Sequence, residues 1–178
     1  MDIGKAYLEV VLERFKDVKS LGDRTIRQLS SEDMHWKLND ASNSIAIIVK
    51  HISGNMQSRW TDFLTTDGEK TFRNRDQEFE EDLESKEVMM KVWEAGWQVL
   101  FDTLNGLESH HLLQNITIRG EQLSVLEAIE RQMAHYASHV GQIVYVAKQI
   151  KGDEWQTLSI AKGKSKEHLQ EMLKKHQS

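Results

Sequence analysis

The sequence predicts an all-α protein: a four-helix bundle with a small β-hairpin before the fourth helix and a short helix at the C-terminus. Four long segments carry apolar residues at helical spacing. The chain contains no proline, so the strongest helix breaker is missing from all four segments. Because four long helices joined by one longer connection are typical of a bundle, we expect residues 1–178 to form a single domain of this kind.

Apolar periodicity and capping residues indicate the first three helices. We expect the first helix over residues 3–29, the second over residues 44–64 with Ser44 as its N-cap, and the third over residues 86–107. Residues 65–82, between the second and third helices, are polar and have no period. We therefore expect a long ordered loop there.

A hairpin and two further helices complete the chain. Ile116 and Ile118 alternate with polar residues and precede a turn-like RGEQ, which predicts a small β-hairpin. Ser124, followed three residues later by Glu127, forms a capping-box pattern at the start of the fourth helix. The helices expected after this point cover residues 124–150 and residues 165–176.

Composition and charge exclude several classes of protein. The absence of cysteine excludes a disulfide scaffold, thiolate metal ligands and a cysteine nucleophile. Together with an N-terminus that does not resemble a signal peptide, it leads us to expect a cytoplasmic protein. The net charge is −5 and the charges of both signs are interleaved, so we expect no nucleic-acid partner. The sequence has no run of about 20 apolar residues, so we expect no membrane span.

The segment MAHYASHVGQ carries two histidines four residues apart, His135 and His139. Residues at this spacing lie on one helix face, so the two imidazoles can converge on one metal ion. Arg131 and Gln142 extend the same face into a polar strip on an otherwise apolar helix. An ordinary pair of solvent-exposed histidines is the alternative. The pair is not an HExxH motif, because Tyr136 occupies the position of the glutamate base.

A third ligand must come from another helix, and His51 is the candidate because it borders the apolar stripe of the second helix. A core histidine with satisfied hydrogen bonds is the alternative. Three histidine ligands leave a fourth position for water or substrate, as in catalytic zinc sites. Two ExxH pairs, Glu32 with His35 and Glu108 with His111, resemble di-iron motifs, but both fall near loops rather than at the centre of long helices.

The segments NSIAIIVKHISGNMQSRWTDFL, DGEKTFRNRDQEF and RQMAHYASHVGQIVYVAKQI resemble the DinB-like superfamily of YfiT-type metal-dependent proteins over nearly the whole chain. The resemblance implies an up-down-down-up four-helix bundle, often dimeric, in which His51, His135 and His139 bind a divalent ion, commonly nickel or zinc. Characterised members act on low-molecular-weight thiols such as bacillithiol or mycothiol, and many members have no assigned activity. Ala161 departs from the proline expected in the closing LSIPKG pattern.

Four polar residues near the histidines are candidates for orienting the ligands or binding substrate: Asn55, Arg59, Arg131 and Gln142. Structural ion pairs or solvated side chains are the alternative for each of them. The charged segment DGEKTFRNRDQEF is either a lid over the site or, as we favour, a surface loop. Gly141, in the middle of the fourth helix, suggests a close approach of another helix, including one from a second subunit.

Two functional hypotheses follow. The first is a metal-dependent enzyme acting on a small molecule, either a low-molecular-weight-thiol S-transferase or a hydrolase, and active as a homodimer. The second is a non-catalytic bundle whose metal has a structural, sensory or stress-related role. An open coordination position beside a pocket favours the enzyme, whereas a fourth protein ligand favours the structural role.

Overall fold

The computed structural model describes residues 2–176, which form five α-helices and one two-stranded antiparallel hairpin. The predominantly helical class and the hairpin agree with the prediction. The helices and strands, in chain order, are α1 (Ile3–Arg27), α2 (Ile45–Trp60), α3 (Lys86–Asn105), β1 (Asn115–Ile118), β2 (Glu121–Ser124), α4 (Val125–Lys151) and α5 (Ser165–His176).

Serine side chains cap the helices that carry or support the histidines. Ser44 Oγ accepts a hydrogen bond from the amide of Ile47 at 3.2 Å and begins α2. The capping box at the start of α4 is confirmed, since Ser124 Oγ accepts from the Glu127 amide at 3.2 Å. The Glu127 carboxylate in turn accepts from the Ser124 amide at 2.8 Å.

The second helix ends at Trp60, four residues earlier than predicted. Thr61 is extended and Asp62 has a positive φ of 47°, so the chain leaves the helical path at once. The hydroxyl of Ser58 donates to the carbonyl of Gly68 at 2.7 Å and draws the following segment back along α2. The prediction failed here because this bond joins the last turn of α2 to a loop that has no periodic pattern.

The core lies where α2 packs against α3 and α4, while α1 packs against α4 and α3. Helices α2 and α3 approach closely at Gly96, where an added Cβ would stand 2.9 Å from the Cα of Ser53. Trp60, Trp93 and Trp97 are almost completely buried in this core. Among the described residues, no helix is both long and apolar enough to cross a bilayer.

The hairpin is hydrogen-bonded to the loop that follows α2. Its turn places Arg119 at φ 56° and Gly120 at φ 77°, the pair of positive φ angles that a tight two-residue hairpin turn requires. The Asp67 carboxylate accepts hydrogen bonds from both turn amides, at 2.9 and 3.0 Å. The amide of Gly68 donates to the carbonyl of Thr117 at 2.7 Å. These bonds hold the start of the charged segment against the hairpin.

Candidate metal centre

Three histidines from two helices lie close together. His51 comes from α2, and His135 and His139 come from successive turns of α4. One ring nitrogen of each residue lies within 4.8 Å of the others, and the ring centroids are 4.6 to 5.4 Å apart. Three imidazoles at these distances can hold one metal ion after small side-chain adjustments.

The ring of His51 is held by a buried carboxylate. Its Nδ1 lies 2.9 Å from Oε2 of Glu78, and because an ionised carboxylate only accepts, Nδ1 carries the proton of this bond, which in a neutral ring leaves the lone pair on Nε2. Arg73 donates to both oxygens of Glu78, at 2.6 and 2.9 Å. Burial raises the pKa of Glu78, but the hydrogen bonds and charges of Arg73 and His51 outweigh it and hold the pKa below its ordinary value.

The surface of α2 is shaped to receive this carboxylate. Gly54 lies one turn from His51, and a Cβ on Gly54 would overlap the carboxylate of Glu78. The side chains of Arg73 and Glu78 are 2% and 6% exposed. The charged segment is therefore no simple surface loop at these two positions, which is a correction to the interpretation that we favoured from the sequence.

The ring of His139 is oriented in a similar way from its own helix. Its Nδ1–H donates to the amide oxygen of Gln142 at 2.8 Å, which leaves Nε2 free. The Nε2 of His135 is buried and has no hydrogen-bond partner among the described residues. A buried polar atom without a partner needs an explanation, and a bound cation supplies one.

Burial keeps the two histidines of α4 in their neutral form. It lowers the pKa of His135 to about 4, with the neighbouring charges of His139 and His51 acting in the same direction. Burial and His51 also lower the pKa of His139, although the bond to Gln142 opposes them. Because neutral imidazole is the form that binds metals, the donor set fits a divalent cation at neutral pH.

A cavity of about 220 Å³ opens beside the histidines. It is lined by His51, Asn55, Arg59, Arg75, Arg119, Arg131, Gln132 and His135. Three of the four residues proposed from sequence to surround the ligands therefore line this cavity, and Gln142 contacts His139 directly. Their roles in binding stay predictions.

The contacts of these residues differ. Arg59 is buried, donates to the carbonyl of Gly68 and pairs with Glu69 at 3.2 Å. Asn55 is buried and accepts from the hydroxyl of Tyr136 at 2.9 Å. Arg59 and Asn55 are therefore fixed by bonds to the protein before any ligand arrives.

Sequence reasoning missed three residues of the site, Glu78, Gln132 and Arg119, the last of which lines the cavity from the hairpin turn. Glu78 lies in a segment with no periodic pattern, 27 residues from its histidine partner, so no local sequence pattern could predict the contact. Gln132 lies one turn before His135 on α4, and the same search for polar residues near the histidines could have found it. The histidines of the two ExxH pairs make other contacts: His35 contacts Glu81 at 3.0 Å, and His111 accepts from the amide of Glu108 at 2.9 Å.

Comparison with known proteins gives a family for the chain. No curated protein matched it. The family model DUF1572, described as "Protein of unknown function (DUF1572)", matches residues 2–164. This match includes every residue of the histidine site and of the cavity beside it. Because it spans nearly the whole sequence, the chain belongs to the DUF1572 family.

Proposed function

We propose that this protein is a metal-dependent enzyme whose divalent ion, nickel or zinc, is bound by His51, His135 and His139. The observation that carries the proposal is the convergence of three ring nitrogens within 4.8 Å, one of them buried and unpaired. The resemblance to DinB-like proteins supports the same ligand set and an up-down-down-up four-helix bundle formed by the single domain. The packing of α1 with α4 and of α2 with α3 and α4 is consistent with that arrangement.

The surroundings of the histidines support a catalytic rather than a structural ion. Among the described residues, the group that could hold a metal contains three histidines and no fourth histidine, aspartate or glutamate. A structural zinc site is usually closed by four protein ligands, whereas a catalytic site keeps one position for water or substrate. The adjoining cavity gives such a ligand room to approach.

We propose that the enzyme transfers a low-molecular-weight thiol to an electrophilic substrate. A bound divalent ion supplies Lewis acidity, which favours the anionic form of a thiol or of water. The chain has no cysteine, so the nucleophilic sulfur has to come from a soluble thiol. Glu78 and Gln142 hold the rings of His51 and His139 at fixed tautomers, and the cavity positions the substrate. Hydrolysis is the alternative reaction, because water can approach through the same cavity.

Metal content is the first test. The protein would be purified without a nickel column and subjected to elemental analysis beside a His135→Ala, His139→Ala variant. We expect about one equivalent of a divalent first-row metal per chain, and loss of that metal in the variant. Absence of metal, or a content that the variant does not change, would rule out the three-histidine site.

Activity is the second test. Metal-loaded protein would be assayed with a soluble thiol and 1-chloro-2,4-dinitrobenzene. In this reaction the sulfur forms a bond to the ring carbon, chloride leaves and the thiol proton passes to solvent. Release of p-nitrophenol from p-nitrophenyl acetate would test hydrolysis in parallel. A metal-loaded protein active in neither assay, across a panel of thiols and esters, would favour the non-catalytic alternative.

A further inference from the structure

We propose that the cavity beside the three histidines is a subsite for an anionic group of the substrate, a carboxylate or a phosphate. The inference rests on the proposed function, since it names the chemical class of molecule that the site would accept. The observation behind it is the convergence of four arginines on one small cavity, Arg59, Arg75, Arg119 and Arg131.

The four arginines come from four separate parts of the chain. Arg59 lies on α2, Arg75 on the charged segment, Arg119 in the hairpin turn and Arg131 on α4. Separate elements converge on a shared cavity only through the tertiary fold, so this is not a basic run of sequence. Guanidinium groups at one cavity repel one another unless anions compensate them.

Protein carboxylates compensate these charges only in part. Glu69 is shared, since it pairs with Arg59 at 3.2 Å and with Arg119 at 2.8 Å. Glu121 pairs with Arg131 at 3.1 Å, and both of these side chains are at least half exposed. Two carboxylates therefore serve three guanidinium groups, and neither of them lines the cavity. The cavity carries an excess of positive charge before any metal ion is added.

Hydrogen-bond donors are also left over. Arg75 lines the cavity, and its guanidinium makes no hydrogen bond or ion pair with the described part of the chain. The guanidinium of Arg119 donates through Nε alone, and that of Arg131 donates through one terminal nitrogen. A guanidinium group has five N–H donors in a planar fork that matches a carboxylate or a phosphate. Most of the donors on these two residues are therefore free to bind a ligand.

A buried amide gives a second, independent sign of a ligand. Gln132 lines the cavity and is 4% exposed, yet its Oε1 has no hydrogen-bond partner among residues 2–176. Buried polar atoms are nearly always satisfied in proteins, and an amide oxygen only accepts, so this atom indicates an occupant that also carries a donor, such as the hydroxyl of hydrogen phosphate.

The size of the cavity limits what it holds. Its volume of about 220 Å³ is below the range of roughly 300–1,000 Å³ that is usual for a complete small-molecule site. It suits one anionic group of a larger molecule whose reacting atoms lie at the three histidines. The subsite would orient that molecule by bidentate contacts and raise its local concentration by charge.

Calorimetric titration tests the subsite with two probes, inorganic phosphate and succinate. Each would be titrated into the full chain, metal-loaded and after chelation, at constant ionic strength in chloride buffer. The test variants are Arg75→Gln and Arg131→Gln. Their matched controls are Arg27→Gln, an exposed arginine on α1, and Arg14→Gln, whose exposed ion pair with Asp17 resembles the pair of Arg131.

We expect at least one probe to bind the chelated chain, and each test variant to bind it about tenfold more weakly while the controls bind as the parent does. Binding of phosphate alone, or of succinate alone, identifies the kind of anion. Failure of both probes overturns the subsite, as does equal affinity in test and control variants. Anion binding that requires the metal and is unchanged in the arginine variants also overturns the subsite, because the anion then coordinates the ion directly.

Metal analysis of the same samples separates the two proposals. Loss of anion binding in a variant that keeps its metal concerns the subsite alone. If the parent protein binds phosphate through its arginines but holds no metal, the proposed subsite stands and the proposed metal enzyme is refuted.

Discussion

Glu78 connects the charged segment to the three histidines through one hydrogen bond to His51. Carboxylates in this position fix the ring and raise its basicity, and losing them typically weakens metal affinity about 10- to 100-fold. We expect Glu78→Gln to weaken metal binding by that amount in competition with a chelator. The exposed Glu80 is the matched control, and Glu80→Gln should bind as the parent does. Equal affinity of the two variants would mean that Glu78 serves only Arg73.

His135 makes the stability of the metal-free protein depend on pH. Burial lowers its pKa in the folded state from the ordinary 6.5 to about 4, so the unfolded chain binds a proton between these values and the folded chain does not. Through His135, the free energy of unfolding is therefore at its full value above pH 6.5 and falls as the pH drops towards 4. Urea unfolding at pH 7 and pH 5 should show a smaller loss in His135→Gln than in the parent. An equal loss in both would contradict the assignment.

At the scale of single elements, α2 contributes to the site in two ways. It carries His51, and at Gly54 its surface leaves room for the carboxylate that contacts His51. Gly54 leaves the space that Glu78 occupies, and a methyl group there would displace the carboxylate. We expect Gly54→Ala to weaken metal binding, although alanine is the better helix former. The same chelator competition measures it. Unchanged affinity would show that the charged segment shifts without releasing His51.

Gly141 on α4 is the matched comparison, because, apart from the neighbouring residues of its own helix, no described atom lies within 4 Å of a Cβ placed there. The close helix approach expected from the sequence is thus not made within the described chain. Gly141→Ala should stabilise the protein by about 0.8–1 kcal/mol through helix propensity alone. Urea unfolding measures this change. A loss of stability, together with a shift to a smaller species in size-exclusion chromatography, would instead indicate a second copy packed against α4.

The elements also show where the sequence was sufficient. Apolar periodicity predicted the four long helices, and the Ser124 and Glu127 pattern predicted the capping box, because both depend on residues within one or two turns. The early end of α2 depends on the bond between Ser58 and Gly68, which joins a helix to a loop. No local pattern encodes such a contact.

For the whole molecule, local sequence patterns likewise predicted the three histidines better than they predicted the residues around them. His135 and His139 are brought together by helical spacing, and His51 by its place beside an apolar stripe. Glu78 reaches His51 from the charged segment, one end of which is held against the hairpin through Asp67. The excess of arginine charge at the cavity arises in the same way, from four parts of the chain. The three histidines and Gln142 were therefore predictable from the sequence, while Glu78 and the excess of arginine charge required the tertiary structure.

A metal ion held by His51 and by the histidines of α4 would join two helices and stabilise the entire fold. A ligand present at about one hundred times its Kd adds about 2.7 kcal/mol to the free energy of unfolding. For a chain of this length, each kcal/mol raises Tm by about 2–4 °C, so nickel or zinc should raise Tm by about 5–10 °C over the chelated protein. Thermal unfolding followed by circular dichroism at 222 nm measures the shift.

Two controls give this shift its meaning. Magnesium prefers oxygen ligands and should leave Tm unchanged, which separates imidazole binding from a general effect of cations. His51→Ala removes the single ligand on α2 and should abolish most of the shift while leaving the α4 pair intact. If His51→Ala kept the full shift, the ion would be bound by α4 alone. The two helices would then be joined only by their apolar packing.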